Sequence, residues 1–330
     1  MTVRSARGPV LLSGCFARGG RIDWAPMGQV RRRVGRTTFA LALVAFTPTA
    51  TASDASAEEQ MANGSHFVVN STAKSPSPAE IAEHLERTWQ TFSDLFGVEP
   101  AGVRVVLSVT SGGAQGTARA DQGSAPTGRT MAWSVAEGED LNSQGFSDLS
   151  HEIAHIYFLD LMGSPQGHHQ PHAWLHEAVA CYHESPSFVA NREKWIRERL
   201  SQRIPLAELF EMKNPVKENP LVELTVELHG KLARGETSVA EMNEQISGWA
   251  SSHAQELMQA GIRNMTYYAQ SLSVFQFLLA REGKPFVRAM AERLREGARM
   301  EEILRDPPHH PRGIASLEEE WVHWVEKQAP

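Results

Sequence analysis

The sequence predicts an α+β fold, with a small N-terminal mixed sheet and its helix packed on a mainly α-helical C-terminal part. Three observations point there. Between residues 65 and 137, short runs rich in β-branched residues flank one amphipathic stretch, the pattern of strand, helix, strand, loop and strand. Beyond about residue 145, apolar residues recur three and four apart, as on helices. The 330 residues are 41% hydrophobic and 22% charged, enough apolar material for a sizeable core.

Taken in order, residues 53–64 are small, polar and acidic, and read as a flexible mature N-terminus. Residues 66–70 form a first strand. A helix opens at Ser77 or Pro78 and runs to Phe96, with Ile81, Leu85, Trp89, Phe92 and Leu95 on one face and Gly97 as its stop. Residues 103–109 are a second strand, 112–128 a loop rich in Gly, Ser and Ala, and 131–135 a third strand and candidate sheet edge. Phe146, Leu149, Ile153, Ile156 and Tyr157 then make a helical stripe, ended by Gly163, Ser164 and Pro165. Residues 174–183, 190–200, 265–280 and 285–294 follow as helices. The last helix, 317–327, has Ser316 and Glu319 placed as a capping box. Residues 213–262 fit two periods: Val222, Leu224, Val226 and Leu228 alternate as in a strand, while Leu221, Leu224, Leu228 and Leu232 repeat as in a helix. The helical reading is preferred. The organisation is thus a leader over 1–52, the flexible 53–64, an N-terminal α/β subdomain over 65–144 and a helical subdomain over 145–330, the last two forming one domain.

The leader carries eight Arg and one acid, Asp23. Arg31, Arg32, Arg33 and Arg36 precede a short apolar run, 38–46, and Ala50-Thr51-Ala52 offers a small-x-small cleavage site, with Ala55-Ser56-Ala57 as a second. This is the layout of an export signal, and a start at Met27 gives it ordinary size, so 27–52 is taken as the true signal. The expected location is periplasmic or secreted. The apolar run is far below the ~20 residues that span a bilayer, so no stable membrane span is expected after signal removal. Cys15 follows a lipoprotein-like Leu12-Ser13-Gly14, but the apolar run before it is too short for that signal. Cleavage near Ala52 leaves Cys181 as the single cysteine, which excludes an intrachain disulfide. The remaining chain has 24 Lys and Arg against 38 Asp and Glu, an acidic body that argues against nucleic acid as a partner.

Inside the helical stripe lies His151-Glu152-Ile153-Ala154-His155, an H-E-x-x-H motif. Residues i and i+4 project from one helix face, so both imidazoles reach a single ion at about 2.0–2.1 Å. Glu152 adjoins the first ligand and is placed to take a proton from the attacking water as general base. A catalytic zinc needs a third protein ligand and one open position. Glu177, in Trp174-Leu175-His176-Glu177-Ala178-Val179-Ala180, opens the next helix, which a helix-loop-helix hairpin brings back beside the histidines. His176 competes with Glu177 for that role, since adjacent helical residues point about 100° apart and only one can serve. Seven of the fourteen histidines lie between 151 and 183; His168, His169 and His172 fall in the connecting loop and read as polar surface. Asp148 and Glu184 are candidates to orient the ligand histidines, although ordinary helix-surface acids are the preferred reading. Cys181 shares the Glu177 face and reads as a buried, inert thiol.

The pair HEIAH and WLHEAVA resembles the gluzincin metallopeptidases, in particular their peptidase MA-like domain, where H-E-x-x-H is followed by W-L-x-E-G-x-A. The resemblance spans roughly residues 65–330 and is most specific in these two motifs; the helix from Tyr268 and the final Leu-Glu-Glu-Glu-Trp helix add softer similarity. It implies a zincin-like metallopeptidase fold, one Zn2+ held by His151, His155 and Glu177, and Glu152 as catalytic base, with a peptide or protein as substrate. Ala178 stands where the family has Gly, which adds a methyl group near the site. In related enzymes a Tyr or His from the helical half stabilises the oxyanion; Tyr268 is the candidate here, with Tyr267 as alternative. Two other readings stay open: a catalytically silent scaffold that keeps the fold, and a hydrolase of a non-peptide amide.

Overall fold

The computed structural model describes residues 60–71, 76–110, 119–121, 129–136, 143–163, 172–305 and 313–328. The leader and the loop carrying His168 and His169 lie outside them. Strand β1 (Gln60–Asn63) pairs antiparallel with β2 (Phe67–Ser71). Helix α1 (Pro78–Phe96) carries the chain over to β3 (Val103–Thr110), which is parallel to β2. Beyond β3, β4 (Arg119–Asp121) is antiparallel to β5 (Arg129–Ala136), and β5 is parallel to β3. The sheet order is β1-β2-β3-β5-β4.

Three expectations change here. Residues 60–63, expected to be flexible, form β1, because an open edge of β2 offers them a full set of backbone partners. The loop expected over 112–128 contains β4. Strand β5 is therefore internal rather than the sheet edge, which is β4.

Alternation fixes which face of the sheet is buried. Phe67, Val69, Val105, Leu107, Met131 and Trp133 point into one core. Against them lies α1, whose Ile81, Leu85, Phe92 and Leu95 form its apolar stripe. Ser77 and Glu80 close a capping box at its start, and Gly97 ends it at φ 67°, a conformation that glycine adopts without a Cβ clash. Trp89 lies at the margin of that stripe, its ring stacked on His66 at 3.6 Å.

Helix α2 (Ser143–Leu161) is fastened to α1 by His84, whose Nε2 lies 2.6 Å from Ser150 Oγ and 3.0 Å from the Phe146 carbonyl. Helix α3 (Ala173–Tyr182) is buried all round from Ala173 to Cys181, as suits a helix enclosed by others. Helices α4 (Pro186–Glu198) and α5 (Leu206–Glu211) follow, then α6 (Pro220–Ala233) and α7 (Val239–Ser252). These last two settle residues 213–262 as helical. They bury Leu221, Leu228, Met242 and Ile246 in a cluster separate from the main core, so the alternating Val226 is left exposed.

Helix α8 (Ala254–Arg295) contains both helices expected over 265–294, with a kink at Gly283 (φ 80°, ψ 174°) just before Pro285. The side chain of Gln270 brackets Ile204, donating to its carbonyl at 2.6 Å and accepting from its N–H at 2.8 Å, which ties α8 to the start of α5. Helices α9 (Met300–Arg305) and α10 (Ile314–Lys327) complete the fold. The capping box expected at Ser316 does not form. Helix α10 starts three residues earlier, where Glu301 of α9 accepts the Ile314 N–H at 3.3 Å, and Ser316 donates to Glu320 within the helix instead.

His183, just past α3, packs against Phe92 and gives its Nδ1 proton to the Val179 carbonyl at 2.7 Å. Burial pushes its pKa down to about 4. In the unfolded chain the ring titrates near 6.5, so below that pH the unfolded state binds a proton that the folded state refuses until about pH 4. This contribution is complete at neutral pH and is lost as pH falls from 6.5 to 4, to a total of about 3 kcal/mol. Urea unfolding of metal-stripped protein across this window is expected to show a shallower pH slope for His183→Leu than for the wild type.

Candidate metal centre

Helix α2 presents His151 and His155 one turn apart, and α3 packs on α2 with Glu177 in its first turns. The three side chains converge. His155 Nε2 is 3.1 Å from His151 Nε2, and Glu177 Oε2 is 3.4 Å from the first and 3.6 Å from the second. Two donors bound 2.0–2.1 Å from one tetrahedral ion stand roughly 3.3 Å apart, and the three measured edges bracket that value. The two imidazole rings meet edge to face at 85°.

Burial sharpens the geometry. Glu177 is 5% exposed, and its Oε2 accepts no hydrogen bond among the described residues. A buried carboxylate oxygen in that state is costly unless a cation faces it. Burial acts to raise the Glu177 pKa, but the positive charge of His155 and the contacts with His151 outweigh it and hold the group far below the carboxylate range. The trio can therefore hold a metal ion.

Each side chain of the trio is held from behind. His151 Nδ1 lies 2.9 Å from Glu184 Oε1, and Arg192 grips the same carboxylate with two bonds, at 2.7 and 2.5 Å. Burial raises the Glu184 pKa, but Arg192 and then His151 bring it down to about 2, so the group is an anion that only accepts. Nδ1 of His151 is thereby the protonated nitrogen, which in the neutral ring leaves the Nε2 lone pair facing the centre. Glu177 Oε1 accepts from Asn214 Nδ2 at 2.6 Å. His155 has His176 at its back, the two Nδ1 atoms 3.5 Å apart and the rings stacked. His176 thus stands behind a ligand and does not compete with Glu177.

Glu184 corrects the reading of it as a surface acid: its side chain is 5% exposed, and Arg192 neutralises it inside the fold. Two turns beyond Glu177, and on the same side as Cys181, it carried a spacing signal in the sequence. Asn214 carried none, since it lies in a turn 37 residues beyond Glu177. Asp148 is half-buried; burial, then the negative charges of Glu184 and Glu152, push its pKa up to about 7.

Cys181 lies fully buried, and burial pushes its thiol up to about 11, which agrees with an inert thiol. Together with His151 and Glu184 it forms a second trio of metal-ligand type. Arg192 already occupies both oxygens of Glu184 and supplies the positive charge there, so this trio is a backing layer for His151. Glu152 is 4% exposed on α2 beside His151. Of the two tyrosines, Tyr268 reaches the site: its hydroxyl is 3.3 Å from Asn214 Nδ2, and Arg192 lies over its ring at 5.4 Å. Tyr267 is buried behind it, the rings 5.7 Å apart. Ala178 is wholly enclosed in α3. His172 caps α3 at φ 69°, outside the trio.

Compared with protein-family models, with curated proteins and with solved structures, the chain finds no match in any of the three. What the fold and the site define is a class by chemistry: an α+β protein with a buried His, His and Glu trio able to hold one metal ion.

The Glu184–Arg192 pair yields a direct test. Replacing Glu184 by Leu leaves a buried guanidinium unpaired and is expected to destabilise the fold by about 3–5 kcal/mol. Adding Arg192→Met is expected to recover much of that loss, as read by urea unfolding of the single and double variants.

Proposed function

We propose that this chain is an exported zinc metallopeptidase of gluzincin type, with a zincin-like fold, that hydrolyses peptide bonds. The observation that carries the reading is the triangle of His151, His155 and Glu177, with its buried, unbonded carboxylate oxygen, on an H-E-x-x-H helix that includes a buried Glu152. The donor set of two imidazoles and one carboxylate suits zinc, and three protein ligands leave a fourth position open. Zinc bound there supplies Lewis-acid activation of water and polarisation of the scissile carbonyl.

The chain's own groups do the rest. Glu152 accepts the proton of the attacking water and afterwards delivers it to the leaving amine. Its place next to His151 in the sequence makes this possible, since the helix turns it about 100° from the ligand direction. The Tyr268 hydroxyl donates a hydrogen bond to the oxyanion as the carbonyl becomes tetrahedral and keeps its proton. Glu184, Asn214 and His176 keep the three ligands in place, so little reorganisation is needed as charge develops. The Arg-rich, apolar and small-residue order of 27–52 supports export, and N-terminal sequencing of the exported protein tests it.

The experiment is metal analysis followed by cleavage of a peptide library. One zinc per chain and cleavage by the wild type are expected. Glu152→Ala is expected to keep the zinc and lose roughly 10²–10⁴-fold in rate. Absence of zinc at near-unit stoichiometry sinks the proposal. Zinc with no cleavage of peptides points to a silent scaffold, or to a hydrolase of other amides if those are turned over.

A further inference from the structure

We infer that Asn214 is a positioning residue that sets the third metal ligand and the oxyanion donor from a single side chain. The inference rests on the proposed metal centre and concerns a residue that no motif marks. Asn214 is 7% exposed and precedes the short 3-10 turn Pro215–Glu218, whose Val216 N–H it caps with Oδ1 at 3.0 Å. That bond decides which way the amide faces: the oxygen looks back to its own backbone and the NH2 looks into the site. The NH2 has two protons and two acceptors at hand, Glu177 Oε1 at 2.6 Å and the Tyr268 hydroxyl at 3.3 Å.

Two consequences follow. Glu177 is fixed through Oε1, so Oε2 is the atom turned to the histidines, where a free carboxylate would rotate between its two oxygens. An amide NH2 can only donate, so the Tyr268 oxygen accepts in this bond and its own proton is directed to a different group. Asn214 therefore selects the donor role that an oxyanion requires of Tyr268. It also makes the two groups move together, one from α3 and one from α8, through a turn that leads straight into α6.

The test uses the full chain with Asn214→Ser, which can still cap the 3-10 turn but cannot reach Glu177, and Asn214→Asp, which keeps size and cap but has no donor. Each is loaded with cobalt(II), titrated against a chromophoric chelator, and assayed with zinc on a fluorogenic peptide, beside Tyr268→Phe and the Asn214→Ser/Tyr268→Phe double variant. Thermal unfolding of Asn214→Ser near the wild-type temperature is expected, which separates positioning from folding. The cobalt absorption bands are expected to shift and metal affinity to fall by about 10–100-fold, more for Asp than for Ser. The loss is expected in kcat with KM little changed, and the double variant to lose less than the product of the single losses. Wild-type cobalt bands and affinity in both variants, or single losses that simply multiply, overturn the inference. Failure of the wild type itself to bind cobalt or zinc counts against the metal centre, whereas bands that respond to Asn214 without any peptide cleavage uphold the Glu177 half of the inference and count against the peptidase reading.

Discussion

The constraint on which the site depends is the carboxylate of Glu177, carried by a helix buried on every side. An ionised carboxyl taken out of water costs several kcal/mol unless charge and hydrogen bonds replace its hydration. In α3 no solvent-facing stripe is available, because Trp174, Leu175, Val179 and Cys181 pack into the core around it. The compensation must come from neighbouring elements. Helix α2 provides two imidazoles, and the turn before the 3-10 segment provides one amide. This arrangement answers one oxygen with a neutral donor and leaves the other facing two rings. It is a stable place for a carboxylate only with positive charge at that point, whether protons on the rings or a metal ion.

That requirement explains much of the surrounding architecture. Helix α1 and the sheet form a flat apolar bed that fixes α2 in rotation, with His84 bonded to Ser150, the residue just before the motif. A rotation of α2 by even a fraction of a turn would carry both histidines away from Glu177, since they share one face. On the other side, α8 packs along α3, and the Gln270–Ile204 bracket holds it in axial position two residues from Tyr268. The site therefore lies between two layers that are each fastened independently. Support of this kind holds the three side chains of the trio in place from both sides.

The sequence was most informative where the placement of side chains is set by local spacing. The i, i+4 histidines, the adjacent acid and the helix after it are all readable because helical geometry alone places them. The β-α-β start was readable for the same reason, through alternation in the strands and the stripe of α1. Tertiary partners were not. Asn214 has no periodic relation to Glu177, and Glu184 looked like a surface acid because an isolated acid near a helix end ordinarily is one. What changes its nature is Arg192, eight residues on in the next helix, and that contact depends on how α4 folds back. The capping box at Ser316 failed for a related reason: Glu301 of a different helix took over the cap, so the local motif had nothing left to do.

The charge around the centre points the same way as its geometry. Glu177, Glu184, Glu152 and Asp148 lie buried or half-buried close together, and Arg192 is the cation that the described residues place among them. Arg192 is consumed by Glu184, which leaves three acids to be balanced by the histidines and whatever the histidines hold. Burial pushes the Asp148 pKa up to about 7; His151 and Arg192 oppose the shift, and Glu184 and Glu152 add to it. A purely structural cluster has no reason to collect more acids than it can pair, since each one adds desolvation cost and mutual repulsion. Positive charge between His151, His155 and Glu177, whether protons on the two rings or the divalent cation proposed above, would offset that negative charge at its centre.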